Sequence, residues 1–512
     1  MFKQLQINYR QALAETTSLL CVSTLLIFLV SMVVFIAFQG SQYFIPKLAY
    51  NVTIDFADGR QDVFYQSSAL DSKSLKAQID SRYLGQYLSS PQNKPEVEVR
   101  LADDVYQVMS ESGRVYFGEF HALSSSDQMN LPLSELSSLL NTVALLQNNL
   151  QQVQNGKLKD LHQSIALLNS KQVADDTPAR KAQMKEFERW QGHVTALEQQ
   201  ILQYRMQLKQ ANGDLISLAL NDLDYLYQPN QLDTFDKLHF TFSKIGQFVS
   251  DKPKQASTAG GVFPAIFGTI LMVILMAVVV APFGIISAVY LHEYAPNNKV
   301  TGLIRIGISN MAAVPSVVYG VFGLGFFVYT LGGSLDQLFY PQSLPSPTFG
   351  TPGLLWASLT MGLLTLPVVI VSAEEGLKRV PQGLRAGSYA LGATKFETII
   401  RVVVPMASPG MLTGVILAIA RAAGEVAPLI LVGAVKFAPN LPVDSDFPFV
   451  HLERQFMHLG VFIYDGAFHN QTQNQSSSLM FATCMLLLII VFSLNISAIL
   501  FRHRLRHKYE RA

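Results

Sequence analysis

The chain is 512 residues long, with 38 lysines and arginines against 37 acids, 49% hydrophobic residues and only 15% charged ones. Soluble domains carry about 25% charged residues, so this balance points to an integral membrane protein, and a net charge of +1 gives no basis for nucleic-acid binding. The two cysteines, Cys21 and Cys484, both fall inside apolar runs, which argues against a disulfide framework.

The first element in chain order is an apolar run at about 18–38, SLLCVSTLLIFLVSMVVFIAF. It is longer than the core of a typical signal peptide and no small-x-small cleavage site follows, so it reads as an uncleaved first transmembrane helix. Residues 1–40 then form an N-terminal segment with that helix.

Residues 41–260 separate the first run from the next and are long enough to contain a fold of their own. In a β-rich part at about 48–125, YNVTIDFADGRQDVFYQ, EVEVRLADDVYQV and GRVYFGEF alternate apolar and polar residues between turn signals, which predicts a few strands. The period then changes. Leu139, Val143, Leu146, Leu150 and Val153 alternate steps of three and four, slip by one residue at NGK, and resume through Leu158, Leu161, Ile165 and Leu168. Phe187, Trp190, Val194, Leu197, Ile201, Tyr204 and Leu208 form a second such seam. With the breaker-rich KQVADDTPAR between them, the two seams predict an antiparallel coiled-coil-like hairpin over about 135–212, with arms of roughly 50 Å. The seams either simply pack on each other or present a docking arm to an external partner. The stretch from 237 to 261 reads as an interfacial aromatic segment or a linker.

Five further runs of spanning length follow at about 264–291, 307–330, 353–373, 409–435 and 479–501, for six in all. The loop at 374–408 carries Lys378, Arg379, Arg385, Lys395 and Arg401, and the basic tail, including residues 506–512, adds Arg502, Arg504, Arg506, Lys508 and Arg511. The segment 331–352 has no lysine or arginine, so both termini and the 374–408 loop are expected in the cytoplasm and the insert outside. Pro315 and Gly320 fall inside the third run, where they suit a kink or a close helix contact.

No G-x-x-x-x-G-K-[ST] occurs, and the nearest approach, GSYALGAT, lacks the lysine. HEYAP begins like a zinc-helix motif without its second histidine. No catalytic constellation, metal site or cofactor site is expected, which makes an enzyme a weak reading.

The segment RAGSYALGATKFETIIRVVVP resembles the EAA loop of ABC-importer permeases: E-A-A, three residues, glycine, nine residues, then I-x-L-P. Gly392, Val402, Val404 and Pro405 match the glycine, isoleucine, leucine and proline, while Ala386, Gly387 and Ser388 stand at E-A-A, so the glutamate is absent. The helical stretches at 383–403 are read as broken by Gly392 and closed by Pro405, within a coupling loop at 383–408. PFGIISAVYLHEYAP, NMAAVPSVVYGVFGLGFFV and ARAAGEVAPLILVGA are similar to the PstA-type permease subunits of phosphate importers, more so than to the companion PstC type. The resemblance covers about 262–505 and not the insert. It implies an all-α, six-helix permease domain (261–505) in a bacterial inner membrane, with an α+β extracytoplasmic insert. It also implies partners: a PstC-like permease, two cytoplasmic ATPase subunits that use ATP and Mg, and a periplasmic phosphate-binding protein.

Within the fifth run stand Arg421 and Glu425, four residues apart and so expected on one helical face. A charge at the bilayer centre costs roughly 2.5–3.5 kcal/mol on insertion scales. One reading is a buried pair that fixes helix packing. The other is a transient phosphate contact, with the guanidinium fork matching two phosphate oxygens and Glu425 holding the arginine when no anion is there. The leading function is inward transport of inorganic phosphate; a permease for molybdate or sulfate and a membrane sensor are the alternatives. Six spans without a clear repeat fit a secondary transporter poorly.

Overall fold

A computed structural model of the chain describes residues 2–56, 59–67, 76, 96–110, 114–125, 128–170, 177–253, 260–341, 347–444, 447–468 and 474–510. Most of the breaker segment KQVADDTPAR lies outside them. The chain divides into two compact units, one of residues 1–44, 245–253 and 260–512, the other of 45–244 and 254–259.

The second unit contains two antiparallel sheets. In the smaller, β1 (Leu48–Phe56) lies between β2 (Gly59–Ser67) and β3 (Glu96–Leu101), with Tyr50, Val52, Ile54 and Val97 buried on one face as the period of two requires. The larger runs β7-β6-β5-β4-β8, from β4 (Val105–Ser110), β5 (Val115–Ser124), β6 (Arg205–Lys209), β7 (Leu215–Ala219) and β8 (Leu223–Tyr227). Asn230 fastens the first sheet to the β3–β4 turn: its side chain accepts from Ala49 N at 3.0 Å and donates to the carbonyls of Ala49 and Ala102 at 2.7 Å.

Two helical arms rise between β5 and β6. The first comprises Leu136–Gln152, a π-helical turn at Val153–Leu158, and Lys159–Ser170; the second is Pro178–Gln203. The π-turn inserts one residue into the helix and accounts for the one-residue slip of the apolar seam at NGK. Leu139 and Val143 from one arm and Ile201 from the other join Val108, Leu123, Met206 and Leu208 in a common core. The second seam stops short of its expected end. Tyr204 is extended, and Leu208 belongs to β6. Positions four apart share a face in a helix and also in a strand, so the spacing 204–208 did not discriminate. The Asn212-Gly213 turn that joins β6 to β7, with Gly213 at φ +88°, was the available signal.

Most of the stretch expected as an interfacial aromatic segment or a linker is a helix, Thr234–Ser250. Its Phe240 ring lies tilted against Tyr227 with centroids 4.6 Å apart and Lys244 lies 5.0 Å over the Phe240 ring, while Phe248, in the other unit, packs on Phe44 and Val262.

The membrane unit has six helices long and apolar enough to cross a bilayer among the described residues: Glu15–Ser41, Phe263–Tyr294, Ser316–Phe339, Leu354–Lys378, Lys395–Gly424 and Ser478–Arg504. The fourth is the hub, with 67% of its most apolar stretch buried, against none for the first and sixth. It packs on the second and fifth through small residues. A Cβ at Gly410 of the fifth span would stand 2.6 Å from Gly376 Cα of the fourth, and one at Gly284 of the second 2.6 Å from Val369. Met272, Met276, Met361, Leu364 and Leu429 fill the centre. Pro315 does not kink the third span; it precedes it, ending a break after the separate helix Lys299–Met311.

Candidate functional site

The fifth span begins at a capped turn. Thr394 Oγ1 accepts from Glu397 N at 3.3 Å and the Glu397 carboxylate accepts from Thr394 N at 2.9 Å, a reciprocal capping box. The helix passes through a π-turn at Ile399–Val403 and continues as Val404–Gly424. Pro405 therefore does not close the helix: it stands in the first turn after the π segment, where the wider bonding pattern tolerates its missing N–H. Half-buried Val402 and Val404 lie in this continuous helix.

The helix stops at Gly424, eleven residues before the expected end of the apolar run. Pro428 has no N–H to donate to Gly424 O, so the ladder breaks there, and glycine at 424 weakens it further. Glu425 is extended (φ −82°, ψ 132°), a short helix Ala427–Val432 follows, and Gly433 turns the chain at φ +138°. That turn is fastened on both sides, by Gly353 N donating to Val432 O at 3.0 Å and Phe456 N to Gly433 O at 3.2 Å. A Cβ at 433 would meet Gly353 N at 2.6 Å, so both the positive φ and the crowding call for glycine. The short helix also takes the third span closely: a Cβ at Gly320 would stand 2.7 Å from Pro428 Cα.

Arg421 and Glu425 meet at this helix end rather than on one face near mid-span. Arg421 Nε lies 3.4 Å from Glu425 Oε1, with the side chains 36% and 26% exposed. At that separation the gross attraction is about 5 kcal/mol for an effective dielectric near 20. Much of it offsets the loss of hydration, so the pair is a weak fastener. Arg421 in the last turn also complements the helix dipole. Ala422 and Ala423, fully buried, anchor the turn that carries the arginine. A permanently charged fork, partly open and held by one carboxylate at an unwound helix end, is chemically suited to exchange that carboxylate for an oxyanion.

The EAA-like segment forms a second arrangement. Helix Gln382–Ala390 ends in a Schellman motif: Gly392 N donates to Tyr389 O at 3.0 Å and Ala393 N to Ser388 O at 3.3 Å, with Gly392 at φ +84°. Nothing lies within 4 Å of where a Gly392 Cβ would be, so the sharp turn, not close approach, requires the glycine. Ala386, Gly387 and Gly392 are exposed. Half-buried Ser388 instead shares a 2.9 Å hydroxyl bond with buried Thr398, tying the short helix to the start of the fifth span. Sequence reasoning missed the charged residues around Arg385, whose one signal was a position at the edge of apolar runs.

Residues 280–507 match the family described as the binding-protein-dependent transport system inner membrane component. The phosphate transport system permease protein PstA 1 of Mycobacterium tuberculosis (strain CDC 1551 / Oshkosh) is 37% identical over 185 residues, 36% of this chain and 55% of that protein. The PstA of Mycobacterium leprae (strain TN) is 40% identical over 178 residues, 34% of this chain and 52% of that protein. The PstA of Yersinia pestis is 30% identical over 255 residues, 50% of this chain and 76% of that protein. The chain thus spans about half the length of the two mycobacterial relatives, and its 45–244 unit lies outside the family match. With six apolar helices, the family match and a relative matched over three quarters of its length, the chain belongs to the PstA-type permeases of the binding-protein-dependent transport-system inner membrane family.

Proposed function

We propose that this chain is a permease subunit of an ATP-driven importer that moves inorganic phosphate inward across the inner membrane. The observation that carries this reading is the half-open Arg421–Glu425 pair at the break after the fifth span, in a chain of the PstA-type family. Phosphate arriving from outside, delivered by a periplasmic binding protein, displaces the Glu425 carboxylate from the guanidinium and takes two parallel N–H bonds. Glu425 then competes for the same donors, which lowers the residence time and lets the anion leave. A site that bound phosphate tightly would stall, so the internal competitor serves turnover.

Hydrolysis belongs to two ATPase subunits on the cytoplasmic side, and a PstC-like permease completes the path. The lysine- and arginine-rich 374–408 segment and tail support an orientation with both termini in the cytoplasm. The exposed residues Ala386, Gly387 and Gly392 form the face of 382–394 that meets the ATPase. The alanine in place of the motif's glutamate leaves that docking to shape and to the rigidity of the Schellman turn. The insert, including its hairpin, stands outside.

The test is uptake of labelled phosphate into proteoliposomes that hold the four-component importer, with competing anions on the outside. Arsenate, which shares the tetrahedral protonated geometry, should compete; sulfate and molybdate should not. Competition by sulfate or molybdate as strong as by arsenate would overturn the substrate assignment.

A further inference from the structure

Four charged side chains meet where the second and fourth spans end, outside the Arg421 site and outside the exposed face of the EAA-like helix. Arg385, one residue before Ala386, directs Nη1 to Glu293 Oε1 at 2.8 Å, and Glu293 closes the second span with its side chain only 7% exposed. The same guanidinium donates through Nη2 to the carbonyl of Leu377 at 3.2 Å, in the last turn of the fourth span. Arg305, on the helix Lys299–Met311, does the reverse. It donates to Leu291 O of the second span at 2.8 Å and pairs at 3.6 Å with Glu374 of the fourth.

Each arginine therefore donates to a carbonyl at the end of one span and neutralises an acid of the other; the Leu377 carbonyl accepts from Val380 N as well. Helix C-termini carry partial negative charge and leave carbonyl lone pairs able to accept a further bond, so a guanidinium there is favoured on both counts. The planar fork allows two bonds in different directions from one rigid group, which lysine does not provide. The acids are mostly shielded, with side chains 7% and 13% exposed, so removal of either arginine leaves a poorly hydrated charge without its partner.

We propose that Arg385 and Glu293 are positioning residues that make the 382–390 helix and the ends of the second and fourth spans move as one body during transport. This rests on the reading that 382–390 meets an ATPase. The force delivered there enters the spans through the crossed ion pairs, not through the chain connection alone. Arg385 itself stays turned toward the spans and contributes no contact to the ATPase.

The test uses the complete importer in proteoliposomes, with Arg385→Ala, Glu293→Gln, Arg385→Lys and the exchanged pair Glu293→Arg/Arg385→Glu. Spin labels at Leu391→Cys and Val300→Cys, both on exposed positions and with Cys21 and Cys484 replaced by serine, report the distance between the EAA-like turn and the helix Lys299–Met311. With the native pair, that distance keeps one narrow distribution through the ATP cycle. In Arg385→Ala and Glu293→Gln it broadens on ATP addition. Phosphate moved per ATP hydrolysed falls about tenfold while the ATPase still copurifies. The exchanged pair recovers most of the ratio, and Arg385→Lys falls between. An unchanged distance and ratio in the single variants overturns the proposal, as does loss of ATPase copurification, which would make Arg385 a docking contact. If Arg385→Ala fails to assemble, Glu293→Gln, nearly isosteric, decides by the same readings. If the native complex moves no phosphate, the substrate reading fails by itself and the distance measurement still judges the brace.

Discussion

Replacing Gly392 by alanine isolates one conformational requirement of the EAA-like turn. The residue sits at φ +84° with nothing within 4 Å of the new methyl group, so no clash contributes. The cost is the left-handed backbone itself, about 1–2 kcal/mol for a residue with a Cβ, less the few tenths recovered by restricting the unfolded chain. A net loss of about 1 kcal/mol shifts the turn's open–closed equilibrium roughly fivefold. The two bonds at stake run from Gly392 N to Tyr389 O and from Ala393 N to Ser388 O. Hydrogen exchange should therefore speed up by about that factor at these two amides, and affinity for the ATPase should fall in proportion. Asparagine tolerates left-handed φ and should recover most of both. Gly383→Ala, equally uncrowded but inside the helix, should leave exchange at the turn unchanged or slow it. Equal exchange and affinity for glycine, alanine and asparagine at 392 would refute the argument that φ sets this residue.

Two further predictions concern the 45–244 unit. Burial against Tyr225 and Phe240 holds the Lys244 ammonium down to a pKa of about 8, from the usual 10.5, so the folded state binds this proton less well than the unfolded state does. The charged lysine costs stability below pH 8, and the cost fades as pH rises from about 8 toward 10.5. Lys244→Met should therefore protect β8 against exchange at pH 7, with a difference from the native chain that shrinks by pH 10; a pH-independent difference would contradict this. Ile201→Ala, at 3% exposure in the core where the hairpin meets the larger sheet, should cost about 2–5 kcal/mol and make the unit protease-sensitive, whereas Leu145→Ala, 66% exposed, should change little.

How far the fold could be read from the chain depended on what each signal measures. Apolar length located all six spans because the bilayer demands it, but hydropathy does not register a broken backbone. The run 409–435 stays apolar across Gly424, so the helix end, the extended Glu425 and the short helix behind it went unread. A proline signals a helix stop only in context: Pro405 sits in a continuous helix behind a π-turn, while Pro428 marks the real break. The NGK slip, a one-residue change of phase, was legible because a π-turn is a one-residue insertion. Arg421 and Glu425 were legible as a pair since spacing and charge in an apolar run stand out. Arg385 and Glu293 were not, because a separation of 92 residues along the chain hides a contact that only the folded span ends create.

The central claim is that phosphate passes through the Arg421–Glu425 pair. Its most direct measurement is the initial rate of ATP-dependent phosphate uptake by the reconstituted importer with Arg421→Ala beside the native chain. Loss of a fork that makes charge-assisted bonds to the anion should lower the rate by at least about 30-fold, with assembly and ATPase binding intact. A correctly assembled Arg421→Ala importer that takes up phosphate at the native rate would contradict the account.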